Sequence, residues 1–480
     1  MSLTRKIAIN NFIVLFERLS TAFLGLLVTI WLVRYLGAEK FGIYSLVFAW
    51  FTFLNVFTPW MIEQVVAREA VRFPDRMRKY LGAGVSIKIG LALLGWALGI
   101  MTVYLLGYPR NIIFYLAIVL LGLLGNASFI LQVPHQIDLR LLRPSLADGL
   151  SNILYQLSRA LAILLNAGLL PFFWLYLAWR LVQLGFFFLL GLEKKEYQPS
   201  FRFSFLEVKY IFRASWILLI NNIFVMIISR FDQLLIYPLL GARAVGLYGG
   251  CANLTDYLIM IPMSWFLSVF PLICRYLGEA PEAYQKANHY SYKYLVIVIC
   301  LVWIILAGFG GQALALLFGK DFREAEGALF WLSAAMIFSF IQYGLFSAAL
   351  SKNLERLWLL VNGMGALLNV ALNLILIPRF GIAGAGFATF AAFLLQVILT
   401  GVLKPFRSDF LIMLKASSWP IIFAALIVFI SRMKELDLFI FGPVATLVYM
   451  GLLLARGDIK REELKALYQA FRPGEKPENG

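Results

Sequence analysis

Fourteen apolar runs divide this sequence, and each is about as long as a helix must be to cross a bilayer. They cover residues 9–35, 42–64, 81–106, 111–134, 146–167, 170–192, 210–238, 245–272, 292–318, 327–350, 357–377, 382–403, 410–431 and 438–455. Hydrocarbon offers a backbone no water, so each run must satisfy its own amides as a helix. Composition agrees. Of 480 residues 61% are hydrophobic and 14% charged, against roughly 25% charged in a soluble chain. The chain reads as an all-α polytopic membrane protein. That excludes a cytosolic enzyme, a disordered protein and a single-span receptor. The connections are too short for a folded extramembrane domain.

The ends need care. Met1 to Lys6 resembles the start of a signal peptide, but the next segment carries Glu17 and Arg18 and has no small-residue cleavage site. It reads as a first span that is kept. After Arg456 the tail is polar; 459–471 suits a short amphipathic helix, and the end, with Pro473 and Pro477, suits disorder. Cys251, Cys274 and Cys300 lack metal-type spacing and read as small apolar residues, with no disulfide or metal.

The net charge is +16. Of the 42 Lys and Arg, 27 fall on the side that holds both termini (Lys293 and Lys415, near span ends, counted there), 8 on the other side and 7 within the spans. This bias places both termini in the cytoplasm. The densest patch, Arg68, Arg72, Arg76, Arg78 and Lys79, reads as an anchor against anionic lipid and not as a nucleic-acid site.

A repeat organises the spans. Leu36-Gly37-Ala38-Glu39-Lys40-Phe41-Gly42-Ile43-Tyr44 recurs 204 residues later as Leu240-Gly241-Ala242-Arg243-Ala244-Val245-Gly246-Leu247-Tyr248. Each copy lies in the turn between the first and second span of a set, and its glycines suit a tight turn. Six spans separate the copies, so the two sets share one orientation in the membrane. This gives two parallel six-helix lobes around a central cavity, residues 1–192 and 193–405. Two further helices follow at 406–456 and a tail at 457–480. A weaker echo lies at Gly381-Ile382-Ala383-Gly384-Ala385-Gly386. Two lobes with a site between them is the plan of an alternating-access transporter.

Five cations (Arg18, Lys88, Arg159, Arg180, Arg230) and three acids (Glu17, Asp232, Asp256) lie well inside the spans. At about 2.5–3.5 kcal/mol each, leaving all of them to lipid would cost more than roughly 20 kcal/mol. They must face one another or a wet cavity. Helical spacing groups them: Asp148, Asn152, Tyr155 and Arg159 share one face, Tyr176, Arg180 and Gln183 another, and Asn221, Ser229 and Asp232 a third. Asn362, Asn369 and Asn373 form a fourth stripe, and Asn253 falls with Asp256. Interhelical pairing explains many such groups. A surplus of cations is more than pairing needs, and it suits an anionic substrate, since the forked donors of Arg match phosphate. Glu63, Arg34 and Arg213 read as interfacial, His135 and His289 as solvated loop residues, and Asp321, Glu324 and Glu326 as a solvated turn.

The stretch Trp31-Leu32-Val33-Arg34-Tyr35-Leu36-Gly37-Ala38-Glu39-Lys40-Phe41-Gly42-Ile43-Tyr44 resembles the opening of Wzx-type polysaccharide flippases, relatives of MATE drug exporters and lipid II flippases. Asn369, Asn373 and Ile377-Pro378-Arg379-Phe380-Gly381-Ile382-Ala383-Gly384-Ala385-Gly386-Phe387-Ala388-Thr389 resemble a second pattern of that family, and Leu317-Phe318-Gly319-Lys320-Asp321-Phe322 a third. The resemblance covers most of residues 1–405. It implies a fourteen-helix fold of the inner (cytoplasmic) membrane that moves an undecaprenyl-diphosphate-linked oligosaccharide to the outer leaflet. It further implies a cationic cavity for the anionic glycan, a lipid-tail groove at the last two helices, and coupling to Na+, H+ or membrane potential.

On this reading Arg18, Lys88, Arg159, Arg180, Arg230, Asn152, Tyr155 and Gln183 are the substrate-binding candidates, and Glu17, Asp232 and Asp256 the ion-coupling candidates. No cofactor is expected. The partners are the lipid-linked glycan, membrane lipids and glycan polymerases or glycosyltransferases, with no nucleic acid. An ion-coupled multidrug exporter of the MATE type is the alternative, disfavoured by the interior cations. A membrane-embedded glycan polymerase or ligase is a weaker one, because no Ser/His/Asp set, large external loop or nucleotide-binding glycine loop is present. The chain therefore reads as a transporter and not an enzyme.

Overall fold

A computed structural model describes residues 3–58, 61–202, 205–433 and 436–459; the side chains of 3–16, 18–19, 61, 214–218, 267–268, 271 and 278–279 lie outside that description. The elements are α1 (Leu3–Leu54), α2 (Met61–Arg72), α3 (Met77–Leu105), α4 (Arg110–Leu121), α5 (Val133–Ile137), α6 (Leu142–Leu164) and α7 (Leu169–Gly191) in the first half. The second half has α8 (Phe205–Glu279), α9 (Pro281–Gly308), α10 (Gly310–Phe318), α11 (Glu326–Ser351) and α12 (Glu355–Val402), followed by α13 (Arg407–Met433) and α14 (Leu438–Arg456). The described residues hold no strand. The tail helix expected at 459–471 lies outside the described residues beyond 459.

Among the described residues, ten helical stretches are long and apolar enough to cross a membrane. Three of them hold two spans each. A 52-residue α1 would run roughly 78 Å if straight, against a hydrocarbon layer of about 30 Å. It breaks at Gly37 (φ 67°), α8 breaks at Gly241 (φ 82°), and α12 breaks at Gly381 (φ 60°). These are the glycines of the two repeat copies and of the echo. Each takes the left-handed backbone that a side chain disfavours. The remaining span, α6, is less apolar because Asp148, Asn152, Gln156 and Arg159 lie along it. It packs between α1 and α7. With α6, the fourteen expected crossings are accounted for.

Two crossings expected as plain helices are interrupted. The second leaves α-geometry for a 3-10 turn at Asn55–Phe57, just before Pro59, which has no N–H to donate. The fourth continues from α4 as an eleven-residue 3-10 segment, Gly122–Gln132. Such a long 3-10 run is uncommon and marks a strained or functional place. The ninth also differs. Its helix starts at Pro281, not 292, and breaks at Phe309 before α10.

The faces can be named without reference to a cell. The near face holds the start of α1 and the end of α14, and the far face holds the repeat turns. On the far face the two repeat copies meet. A methyl group on Gly42 would overlap the carbonyl of Ala242, and one on Gly246 would overlap the carbonyl of Ala38. The second glycine of each copy thus sits on the backbone of the other copy. Arg34 adds a link, bonding the carbonyls of Leu316 and Leu317 at the end of α10, the latter at 2.7 Å. It therefore bridges the halves, a role beyond the interfacial one expected.

On the near face, the segment linking the halves is strapped to the first. Ser200 N–H donates to Arg78 O at 2.7 Å, Arg78 Nε donates to Gln198 O at 3.1 Å, and Lys194 pairs with Asp138 at 3.1 Å. His135 is fully buried here, 3.5 Å from Glu193 and against the Tyr197 ring, which corrects its reading as a solvated loop residue. The strap covers it.

Gly42→Ala or Gly246→Ala is expected to weaken the far-face contact by about 1–3 kcal/mol, roughly 5- to 150-fold in closed population. A cysteine at Ser45, placed in a protein lacking Cys274, should then react faster with an impermeant maleimide added from the far face. Unchanged reactivity would show that the glycines do not hold this face shut.

Candidate functional site

Behind the far-face contact lies a cavity of about 260 Å³ between the two halves. The first half supplies Thr29, Tyr44, Asn152, Tyr155, Arg159 and Trp179; the second supplies Arg230, Gln233, Asn253 and Tyr257. The stripe seen on α6 explains the wall: Asn152, Tyr155 and Arg159 all reach it. Tyr155 stacks on Trp179 at 4.7 Å and 11°, giving the wall a flat aromatic surface.

Arg159 is 4% exposed. Its guanidinium donates to Gln156 Oε1 at 2.8 Å and to Thr29 Oγ1 at 3.3 Å, and lies 5.4 Å from the Tyr155 ring centre. Its Nε has no hydrogen-bond partner, and no carboxylate pairs with it among the described residues. Arg230, across the cavity, pairs with Asp256 at 2.6 Å. The wall therefore holds one compensated cation and one held only by neutral groups.

Lys88, Arg180 and Gln183 lie elsewhere, in a buried network of the first half. Lys88 is 1% exposed and pairs with Glu63. Its Nζ also donates to Asn126 O at 3.2 Å, in the 3-10 segment. Asn126 donates to Asn55 and Thr58 (2.5 and 2.7 Å) and accepts from Arg180. Arg180 also donates to Gln183, which in turn donates to Asp148. Glu63 is 6% exposed, which corrects its reading as interfacial. Gly122 and Gly125 make the room: a side chain on either would press on Tyr176 or Arg180.

A third group fills the second half. Asp232 is 2% exposed and accepts from Tyr248 OH and from the backbone N–H of Gln233 at 2.7 Å. Thr389 Oγ1 donates to it at 3.4 Å and is itself 3.4 Å from Asn369 Nδ2; Asn373 donates to Asn369 at 3.0 Å. Asn362 binds Asn221 at 2.7 Å. The asparagine stripe of α12 is thus buried and bonded, whereas Ser229 bonds only its own helix, at Val225 O. Glu17 is half-buried, with Thr21 donating to it at 3.4 Å. The Arg18 side chain lies outside the described residues.

Residues 7–277 match the family model described as polysaccharide biosynthesis protein. The chain belongs to that family. No curated protein matches it. Among solved structures, this polysaccharide biosynthesis protein is similar to an inward-facing multidrug resistance MATE family transporter of the MOP superfamily, with TM-score 0.66, 14% identity, 86% of this chain and 98% of that one covered. It is equally similar to the lipid II flippase MurJ in an inward closed conformation, with TM-score 0.66, 13% identity and 94% and 98% coverage. A point mutant of the Vibrio cholerae MATE transporter VcmN gives TM-score 0.54, 14% identity and 84% and 99% coverage. The expected membership and fold class hold.

Several site residues of this family member escaped the sequence reading: Tyr44, Gln156, Trp179, Gln233, Tyr248 and Tyr257. A signal existed for two of them. Tyr44 and Tyr248 close the two repeat copies, and they reach the cavity and Asp232 respectively.

Asp256→Asn would leave Arg230 without its charge partner. The side chains are 19% and 32% exposed, so the loss is expected at about 1–3 kcal/mol, below that of a fully buried pair. Thermal unfolding in detergent should show it, with Arg230→Gln/Asp256→Asn recovering half or more.

Proposed function

We propose that the protein is a flippase for a lipid-linked anionic oligosaccharide, carried from the cytoplasmic to the outer leaflet of the inner membrane. The observation that carries this reading is Arg159, a buried guanidinium on the cavity wall with no carboxylate partner among the described residues. A buried cation without a counter-charge is unfavourable by several kcal/mol, and an anionic ligand relieves that. Arg230 has its own acid and so adds donors more than net charge. The aromatic and amide groups around Arg159 suit sugar rings, which offer an apolar face and a rim of hydroxyls.

In this mechanism the lobes 1–192 and 193–405 rock about the cavity. The far-face contact of Gly42 and Gly246 breaks as a near-face contact forms. Family membership and the similarity of fold to the lipid II flippase support an undecaprenyl-diphosphate carrier for the glycan. The lipid tail would stay outside, in an apolar groove of about 460 Å³ lined by Ile305 of α9 and Leu438, Gly442, Pro443, Thr446 and Leu447 of α14. Of the three coupling candidates Asp232, with Tyr248, Thr389 and Asn369, is the best enclosed for Na+ or H+ coupling. A cationic drug would have to sit beside two arginines, which argues against the exporter alternative.

The test is a proteoliposome flipping assay with a lipid-diphosphate sugar, with and without an ion gradient. Arg159→Ala should lower flipping roughly 10- to 150-fold, the range for one charged hydrogen-bonding group, with protein amount unchanged. Arg159→Lys should recover only part of it, since the fork is lost. Wild-type rates in Arg159→Ala would overturn the reading. Asp232→Asn should remove the response to the gradient while leaving substrate binding intact.

A further inference from the structure

Two spans of the first half lose α-geometry at places that face each other. One is the break at Asn55–Thr58, and the other is the 3-10 segment Gly122–Gln132. Hydrogen bonds from Asn126 Nδ2 to Asn55 Oδ1 and Thr58 Oγ1 join them. Glu63 follows the first break, in the first turn of α2. Interrupted helices at membrane depth with oxygen atoms turned inward are how transporters build cation sites. A metal cation would find here a carboxylate and a backbone carbonyl.

That place is already taken. The ammonium of Lys88, reaching in from α3, sits between Glu63 Oε1 and the carbonyl oxygen of Asn126. We propose that Lys88 is a tethered cation: its ammonium fills a monovalent-cation site formed by Glu63 and the two interrupted helices. The first half then needs no exchangeable ion of its own.

Two observations separate this from an ordinary buried ion pair. A pair needs only the two side chains, yet Lys88 also engages a main-chain carbonyl of the irregular segment. And the second carboxylate oxygen, Glu63 Oε2, is buried without a hydrogen-bond partner, so the carboxylate has unused accepting capacity. A cation freed from its tether is able to use both oxygens. The site also reaches the cavity wall indirectly. Asn126 bonds Arg180, and Arg180 lies 5.4 Å from the Trp179 ring.

The experiment removes the tether. Lys88→Ala is purified in detergent and melted in increasing NaCl, KCl or ethylammonium chloride, with choline chloride holding ionic strength constant. The expected result is a melting temperature that rises with at least one of these small cations and saturates at millimolar levels. The parent should show no such rise, and Glu63→Gln/Lys88→Ala should lose it. A folded Lys88→Ala whose melting temperature ignores every cation, or a parent that responds equally, would overturn the proposal. A second variant decides the matter if Lys88→Ala fails to accumulate. Glu63→Gln/Lys88→Met removes both charges at similar volume. A mere ion pair tolerates that exchange, whereas a cation site leaves its carbonyl unanswered. A double variant as stable as the parent overturns the proposal; a lower melting temperature or failure to accumulate is the expected outcome. These readouts do not depend on transport, so they stand or fall apart from the flippase reading.

Discussion

Hydrocarbon solvates neither a charge nor a peptide group, and this structure is arranged around that fact. Each described intramembrane charge has a protein answer. Glu63 holds Lys88, Asp256 holds Arg230, and Arg180 is tied through Gln183 to Asp148. Asp232 is met by a tyrosine, a threonine and a backbone N–H. These bonds join helices that apolar packing alone would leave free to slide, because lipid tails are as apolar as leucine. They also narrow the surplus of cations. Once Glu63 and Asp256 are counted, Arg159 and Arg180 are the cations of this set met by neutral groups among the described residues, and of the two Arg159 is the one on the cavity wall.

The same constraint explains the glycines. Helices that turn within a residue or two must do so at the membrane edge, and Gly37, Gly241 and Gly381 do it with positive φ. Gly42 and Gly246 do something different. They take ordinary helical backbone and supply absence of bulk, letting each repeat copy rest on the other's carbonyl. A single short motif thus encodes both a turn and an interface.

Much of this was legible in the sequence. The number of spans, the repeat and the faces of α6 and α12 follow from apolar run length and from 3.6-residue spacing, which local chemistry sets. Asn152, Tyr155 and Arg159 were found together because one helix carries them. What was not legible depended on contacts between helices distant in sequence. Glu63 looked interfacial because it stands near the end of an apolar run, and only the packing of α3 against α2 buries it with Lys88. Lys88 and Arg180 looked like cavity cations because depth along a helix can be counted but direction cannot. The 3-10 course of 122–132 also escaped notice, since Gly122, Gly125 and Asn126 are common in plain transmembrane helices; the bulk of Arg180 fitted against those glycines gives it meaning.

The two halves began as copies and are no longer equivalent, and the difference falls where chemistry matters. Tyr44 and Tyr248 occupy the same place in the repeat, yet Tyr44 lines the cavity while Tyr248 donates to a buried acid. The first half keeps its cations: Lys88 bound to an acid, Arg180 bound to amides, and Arg159 turned to the cavity. The second half keeps Asp232 within hydroxyls and amides, with no cation in hydrogen-bond contact among the described residues. On the proposed flippase reading, the cavity wall attracts the cargo and the enclosed acid is the group whose charge a small ion changes. On that reading the cavity wall, with Arg159 from the first half and Arg230 from the second, and the acid enclosed in the second half separate the two demands, while Gly42 and Gly246 let the copies rest on each other.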